Sequence, residues 1–277
     1  MGGNGASKEA TVQSFAAAGH ERKLKEMLDV GGVPVNEPDE HGMTALHHAA
    51  SLGRINSMKV LLERNADPHA MNTDNLSALH LACKAGHLEV CKELIQKDKD
   101  TIFAKDANGR TPLMTVAEHG HAELADYLLQ IDDVKAKVNA TDKYGATALH
   151  WAADKGHLAI VKALVEGAGA REQLADAEGN TPLLLACRAG PVAADCAVYL
   201  WERLPNADSN AVNLAGESAL ACAVAGGALA VLGAVAERRY VKLGLPDRRG
   251  RTALHHAAEA GHAEACAYLC ELAAGGG

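Results

Sequence analysis

Two kinds of short apolar run alternate along this chain. One pairs a Leu with neighbouring alanines, as Leu46 with Ala49 and Ala50, or Leu149 with Ala152 and Ala153. It predicts a short helix whose small side admits a close neighbour. The other has the spacing of Leu158, Ile160, Val161, Leu164 and Val165, one face of a second helix. Between them stands a Gly, and before each pair comes a polar stretch rich in turn residues.

The alternation is periodic. A Thr or Ser that precedes a small residue or Pro and then a Leu falls at Thr44, Ser77, Thr111, Thr147, Thr181, Ser218 and Thr252, at spacings of 33, 34, 36, 34, 37 and 34 residues. Five residues before each anchor stand Asp39, Asn72, Asp106, Asp142, Asp176, Asn213 and Asp247; two before stand Gly42, Asn75, Gly109, Gly145, Gly179, Gly216 and Gly250. Nine after stand Gly53, Gly86, Gly120, Gly156, Gly190, Gly227 and Gly261. An eighth, degenerate unit opens the array, with Gly19 and His20 in the place of the later Gly-His pairs.

Each recurring position has a physical task. The Asp or Asn bonds the backbone of a tight turn, and the Gly, or Asn75, tolerates positive φ. The Thr or Ser caps the helix that follows. Pro112 and Pro182 take the first helical position, where a missing N–H costs nothing. The later Gly ends that helix in a left-handed conformation. A turn, a short helix, a reversal and a second helix cannot bury an apolar face alone, so neighbouring units must stack.

Composition fits this picture: 48% of residues are hydrophobic but only 3% aromatic, with Ala and Gly making up the difference. The net charge of -8 argues against nucleic-acid binding. Seven cysteines, at 83, 91, 187, 196, 222, 266 and 270, show no framework spacing and read as reduced thiols within helical patterns. No apolar run reaches the roughly 18 to 20 residues of a membrane span. Gly2 follows Met1, but Ala6 stands where an N-myristoylation pattern places Ser or Thr. Residues 1–8 therefore read as a flexible tail, with a lipid tether as the alternative.

"DKYGATALHWAADKGHLAIVKALVEGAG", from Asp142 to Gly169, and its six companions resemble ankyrin repeats, and the resemblance runs from Glu9 to Ala274. It implies an all-α, curved solenoid of about eight stacked helix-turn-helix units with short β-hairpin-like loops. The expected organisation is one domain over 9–274, with a degenerate capping unit at about 9–38, seven repeats at about 39–274 and a Gly tail at 275–277. Departures are local. Met114, Leu184 and Ala221 stand where the family has His, Pro191 replaces the His after Gly190, and the region from Gly190 to Gly216 carries extra residues.

Nine of the fourteen histidines now fall on repeat positions. His47, His80, His150 and His255 follow a cap by three residues; His20, His87, His121, His157 and His262 follow the reversal Gly. The resemblance makes the first group structural hydrogen-bonding residues. Adjacent helical residues such as His47 and His48 point about 100° apart and do not jointly grip one ion. His262, Cys266 and Cys270 span too great a rise for a single metal, and 266 and 270 are core positions in the other units. Nucleotide-binding, hydrolase, metalloprotease and Cys-x-x-Cys motifs are missing from the sequence. The chain therefore reads as non-enzymatic, with no catalytic residues, cofactor or metal.

Positions that vary between units are left for a partner. Aromatic and Arg side chains dominate interface hot spots, which selects Lys143, Tyr144, Trp151, Asp154 and Lys155 from one unit, with Arg110 and His119 before it and Arg188 after it. The expectation is a monomeric, cytoplasmic scaffold or adaptor that binds another protein on its concave face and hairpin tips; a nuclear or cytoskeletal setting is also compatible. Tyr199 and Trp201 sit in a second helix and read as packing or convex surface. Two alternatives stand beside this. One is a lipid-tethered or structural part of a larger assembly, held through Gly2 or through Arg248, Arg249 and Arg251 beside Arg238 and Arg239. The other comes from the run Asn139 to Cys187, which is similar to gankyrin-type assembly chaperones of the proteasome regulatory particle and implies an ATPase C-terminal domain as partner.

Overall fold

The structure, a computed structural model, describes residues 11–203, 210–236 and 241–275. Gly2, the rest of the 1–8 tail, Arg238, Arg239, Gly276 and Gly277 lie outside them, and Gly275 is the last residue of the final helix. Among the described residues there are helices and two isolated β-bridges, Met71 with Ser77 and Val212 with Ser218, and no strand. This is the all-α architecture that the resemblance implies.

Two compact units divide after Val116. The first holds the helix pairs Val12–Ala18 with Glu21–Asp29, Ala45–Ser51 with Ile55–Glu63, and Ala78–Ala85 with Leu88–Lys97. The boundary falls inside the next helix, Pro112–His119. The second unit contains Ala122–Leu129, Ala148–Asp154 with Leu158–Lys162, Pro182–Arg188 with Ala194–Arg203, Ala219–Gly226 with Leu229–Ala236, and Ala253–Glu259 with Ala263–Gly275. Within each unit the short first helices of successive repeats pack on one another. Ala49, Ala50, Ala82, Ala152, Ala153 and Ala186 are wholly buried there, which is why the small residues are needed. A Leu-sized side chain at such a contact would force the helices apart.

The predicted turn recurs seven times. Asp39, Asn72, Asp106, Asp142, Asp176, Asn213 and Asp247 each accept, through one side-chain oxygen, the backbone N–H groups two and four residues on. Asn75, at φ 59°, fills the left-handed position that Gly takes in the other six.

The histidines after the caps do more than cap. Thr44 N–H donates to His47 Nδ1 at 3.1 Å, which leaves the Nε2 proton to donate to Leu76 O, in the next repeat, at 3.1 Å. His80 reaches Arg110 O, and His150 reaches Asn180 O, in the same way. Burial pushes all three imidazoles below their usual range, consistent with a neutral ring that carries one proton.

The second histidine class reaches backward. His87 Nε2 donates to Ser51 O at 3.1 Å, and His157 Nε2 to Glu118 O at 3.2 Å. Each ring lies over the preceding reversal Gly: a Cβ on Gly120 would sit 2.5 Å from His157 Cε1. Glycine is needed there for space as well as for its φ of +80°.

At Pro191 no such ring exists. A short 3₁₀ segment, Gly190–Ala193, takes its place, and the Val192 carbonyl covers Gly156, as a histidine ring covers Gly53, Gly120 and Gly227. Trp201 beyond it is 1% exposed and belongs to the core. Tyr199 is half-buried; its hydroxyl donates to Glu166 at 2.7 Å, with Lys162 and Arg203 over its ring.

One expectation about burial needs correction. Cys83, Cys91, Cys187, Cys196 and Cys222 are buried, but Cys266 is half-buried and Cys270 exposed. Both belong to the final helix, Ala263–Gly275, where no further described repeat packs against them.

Candidate functional site

The second carboxylate oxygen of each turn Asp decides which variable side chains are free for a partner. In the repeat opened by Asp39 it is bonded by His48 Nε2 at 2.8 Å. Arg110 Nε donates to that of Asp106 at 2.8 Å, Asn180 Nδ2 to that of Asp176 at 3.1 Å, and Arg251 Nε to that of Asp247 at 3.0 Å. In the repeat opened by Asp142 the donor is the Trp151 indole, at 3.1 Å. Two residues selected as partner-binding candidates, Arg110 and Trp151, are thus held by an acid of their own repeat. Position 151 has counterparts after all, in His48 and His256, which stand at the same place past the cap and reach the same acid.

Electrostatics follow from this turn. Burial alone would raise the Asp247 carboxyl, but the N–H groups of Arg251 and Arg249 and the Arg251 guanidinium outweigh it and hold the group down at about 2. Asp39 and Asp106 are also held below the usual carboxylate range, burial being opposed by His48 in the first and by Arg110 in the second.

Tyr144 is placed differently. Its backbone carbonyl accepts from Ala177 N–H at 2.8 Å, fastening its hairpin tip to the next, while its side chain is 54% exposed. The Lys143 ammonium lies 5.3 Å from the ring centroid, and Lys155 pairs with Asp154 at 2.8 Å. Tyr144, Trp151, Asp154 and His150, with Glu178 and Leu185 of the following repeat, line a cavity of about 360 Å³. Two apolar faces, a phenol and the carboxylates of Asp154, Asp176 and Glu178 thus converge on one opening. Leu185 was not selected from the sequence, although it stands four residues past its cap as Trp151 does.

The remaining candidates lie elsewhere. Arg110 belongs to the first unit. His119 stacks on His121, ring centroids 6.5 Å apart, and does not line the cavity. Arg188 is exposed at the end of its helix and lines a neighbouring groove that shares Ala177 and Glu178 with the Tyr144 cavity. Among the described residues no group of His, Cys, Asp and Glu is arranged to hold a metal ion, and no helix is long and apolar enough to cross a membrane.

A family model for ankyrin repeats, comprising three copies, matches residues 3–72, 66–142, 131–213 and 195–275. The chain belongs to the ankyrin-repeat family. It is similar to neurogenic locus notch homolog protein 1 of Xenopus tropicalis, 31% identical over 163 residues, which are 59% of this chain and 6% of that protein. It is also similar to transient receptor potential cation channel subfamily A member 1 of Homo sapiens, 33% identical over 134 residues, or 48% and 12% of the two chains. A third relative is B-cell lymphoma 3 protein homolog of Mus musculus, 32% identical over 164 residues, or 58% and 36%. The chain spans between 6% and 36% of the length of these relatives. Ankyrin repeats are generally protein–protein interaction modules.

Proposed function

We propose that this chain is a non-enzymatic recognition module that grips a partner protein at the hairpin tips and first helices of its second unit, around Tyr144. The observation that carries the reading is the exposed phenol of Tyr144 beside a cavity walled by Trp151 and Leu185. A rigid aromatic side chain next to an apolar recess supplies contact area at little conformational cost, which is the make-up of an interface hot spot. Asp154 and Glu178 on the rim, with Lys143 and Lys155 beside them, add polar groups that set the register of a partner. Within the reading, Trp151 forms a wall of the recess and Tyr144 is the anchor. The relatives described above do not favour a gankyrin-type assembly role over this general one.

The test is affinity purification from the source cell with mass spectrometry, comparing the wild type with a Tyr144→Ala, Trp151→His double variant. Histidine keeps the bond to Asp142 that His48 makes to Asp39, so the turn survives. Loss of a defined set of partners from the variant is the expected result; an unchanged set sinks the proposal.

A further inference from the structure

Next to the Tyr144 recess, the hairpin tips and a first-helix end of the following repeats form a groove of about 600 Å³ lined by Arg188, Leu214, Arg248, Arg249 and Arg251. Arginines on this chain are commonly closed by an internal partner. Arg64 pairs with Asp29, Arg110 with Asp106, Arg203 with Glu172, and Arg251 with Asp247 and Glu259. Arg188, Arg248 and Arg249 are exposed, and their guanidinium groups bond no described residue. The acids that share the groove are already engaged: Glu178 accepts from Asn180 Nδ2, Glu217 from Asn213 Nδ2, and Asp247 from Arg251 and His256. Leu214, 56% exposed, stands among the arginines and gives the groove an apolar contact point.

We propose that this groove binds an acidic segment of a protein partner, with carboxylates on Arg188, Arg248 and Arg249 and an apolar side chain on Leu214. The inference rests on the reading of this unit as a protein-recognition module and adds the chemistry of what it recognises. A guanidinium binds a carboxylate through two parallel N–H donors, so three unpaired arginines specify several acidic side chains rather than one. Leu214 favours a peptide over a polyphosphate, because a nucleic-acid backbone has no aliphatic side chain to cover it. The interleaved Glu178 and Glu217 repel a continuous line of phosphates, whereas a peptide can place neutral residues opposite them. The chain's net charge of -8 weighs against polyanions in general, which confines attraction to this patch.

The full chain is titrated, by fluorescence anisotropy in low salt, into a labelled unstructured peptide that alternates Glu or Asp with Leu. The same titration uses a peptide with Gln and Asn in place of the acids, and a short single-stranded oligonucleotide. The expected result is saturable binding of the acidic peptide alone, weakened about tenfold or more by Arg248→Glu with Arg249→Glu, and weakened by added salt. Leu214→Ser weakens it as well. Both arginines lie at an exposed tip, and matched thermal melts check that the variants fold. Three results overturn the proposal: no binding of the acidic peptide, equal binding by the arginine variant or of the neutral peptide, or tighter binding of the oligonucleotide.

The two readings fail separately. Cellular partners that Tyr144→Ala, Trp151→His loses but the arginine variant retains uphold the Tyr144 site and sink the groove. Partners lost only from the arginine variant do the reverse.

Discussion

The indole N–H of Trp151 donates to the outer carboxylate oxygen of Asp142 at 3.1 Å, in the place where His48 and His256 bond Asp39 and Asp247. One bond thus recurs with two kinds of side chain, which allows them to be exchanged. Trp151→His is expected to keep stability close to wild type. Trp151→Phe, which fills similar space but cannot donate, should cost about 1–3 kcal/mol because it leaves a buried carboxylate oxygen short of a donor. Urea unfolding midpoints of the two variants check this, and equal losses would refute it.

Gly120 and Gly261 share a role and nearly the same φ, +80° and +76°, but only Gly120 lies under a histidine ring. Alanine at Gly261 should cost about 1 kcal/mol for the left-handed backbone alone. Alanine at Gly120 should cost distinctly more, since His157 Cε1 would lie 2.5 Å from the new carbon. Adding His157→Ala to Gly120→Ala should remove most of the excess, and a double-mutant cycle measures it.

His47, His80 and His150 titrate below the usual 6.5 in the folded chain. As pH falls below 6.5 the unfolded chain takes up protons that the native state declines, so stability falls with pH until the native values are reached. His80→Met, which copies Met114 in the next repeat, should make the decline between neutral and mildly acid pH shallower. It should also cost about 1 kcal/mol at neutral pH through the lost bond to Arg110 O. Asp39, Asp106 and Asp247 behave in the opposite sense to a raised group: their contribution is whole above the usual 3.8 and disappears as pH falls from there, for Asp247 towards about 2. Denaturation curves at stepped pH resolve the two windows, and a slope unaffected by His80→Met would contradict the first.

Burial separates the seven thiols. Cys83, Cys187, Cys196 and Cys222 are buried, and burial pushes their thiols well above the ordinary range, Cys196 and Cys222 to about 12. In native protein a thiol reagent should modify Cys270 first and Cys266 next, with Cys83, Cys91, Cys187, Cys196 and Cys222 reacting only after unfolding. Peptide mapping after a short exposure reads the order directly.

The fold was legible because its requirements are local. An Asp or Asn with Gly three residues later, a Thr or Ser two beyond, and a Gly nine after that each satisfy backbone groups within a few residues. The forward bond of His47 to Leu76 O was not legible, since it joins residues 29 apart in sequence. The site was half legible. Tyr144 stood out as a large aromatic at a turn tip, and it is exposed. Trp151 was selected as a large aromatic, and only the shared acid reveals that it fills the role of His48 and His256. Arg110 carried a readable signal that was passed over: it stands four residues after Asp106, as Arg251 stands after Asp247. Cys266 and Cys270 follow a core pattern, but in Ala263–Gly275 it is Ala265 and Leu269 that are buried, and no further described repeat packs over the two thiols.

Neighbouring repeats are fastened by a histidine reaching forward, by one reaching back, or by both, and one seam in the second unit has neither. The repeat of Thr181 carries Leu184 where a forward histidine would stand, and the repeat of Ser218 carries Ala228 after its reversal Gly. Besides the packing of Pro182–Arg188 on Ala219–Gly226 and the tip bond from Leu214 N–H to Glu178 O at 2.9 Å, this seam is joined by the bond from Asn213 Nδ2 to Asn180 Oδ1 at 3.0 Å and the close backbone passage of Gly190 by Gly226. In native-state hydrogen exchange this seam should part at a lower free energy than the His150 junction, releasing its flanking amides as one group. The groove of Arg188, Leu214 and Arg248 draws its lining from both sides of the seam. A ligand seated there would act as a clasp, and slowed exchange across the seam would register its arrival even without any change of shape.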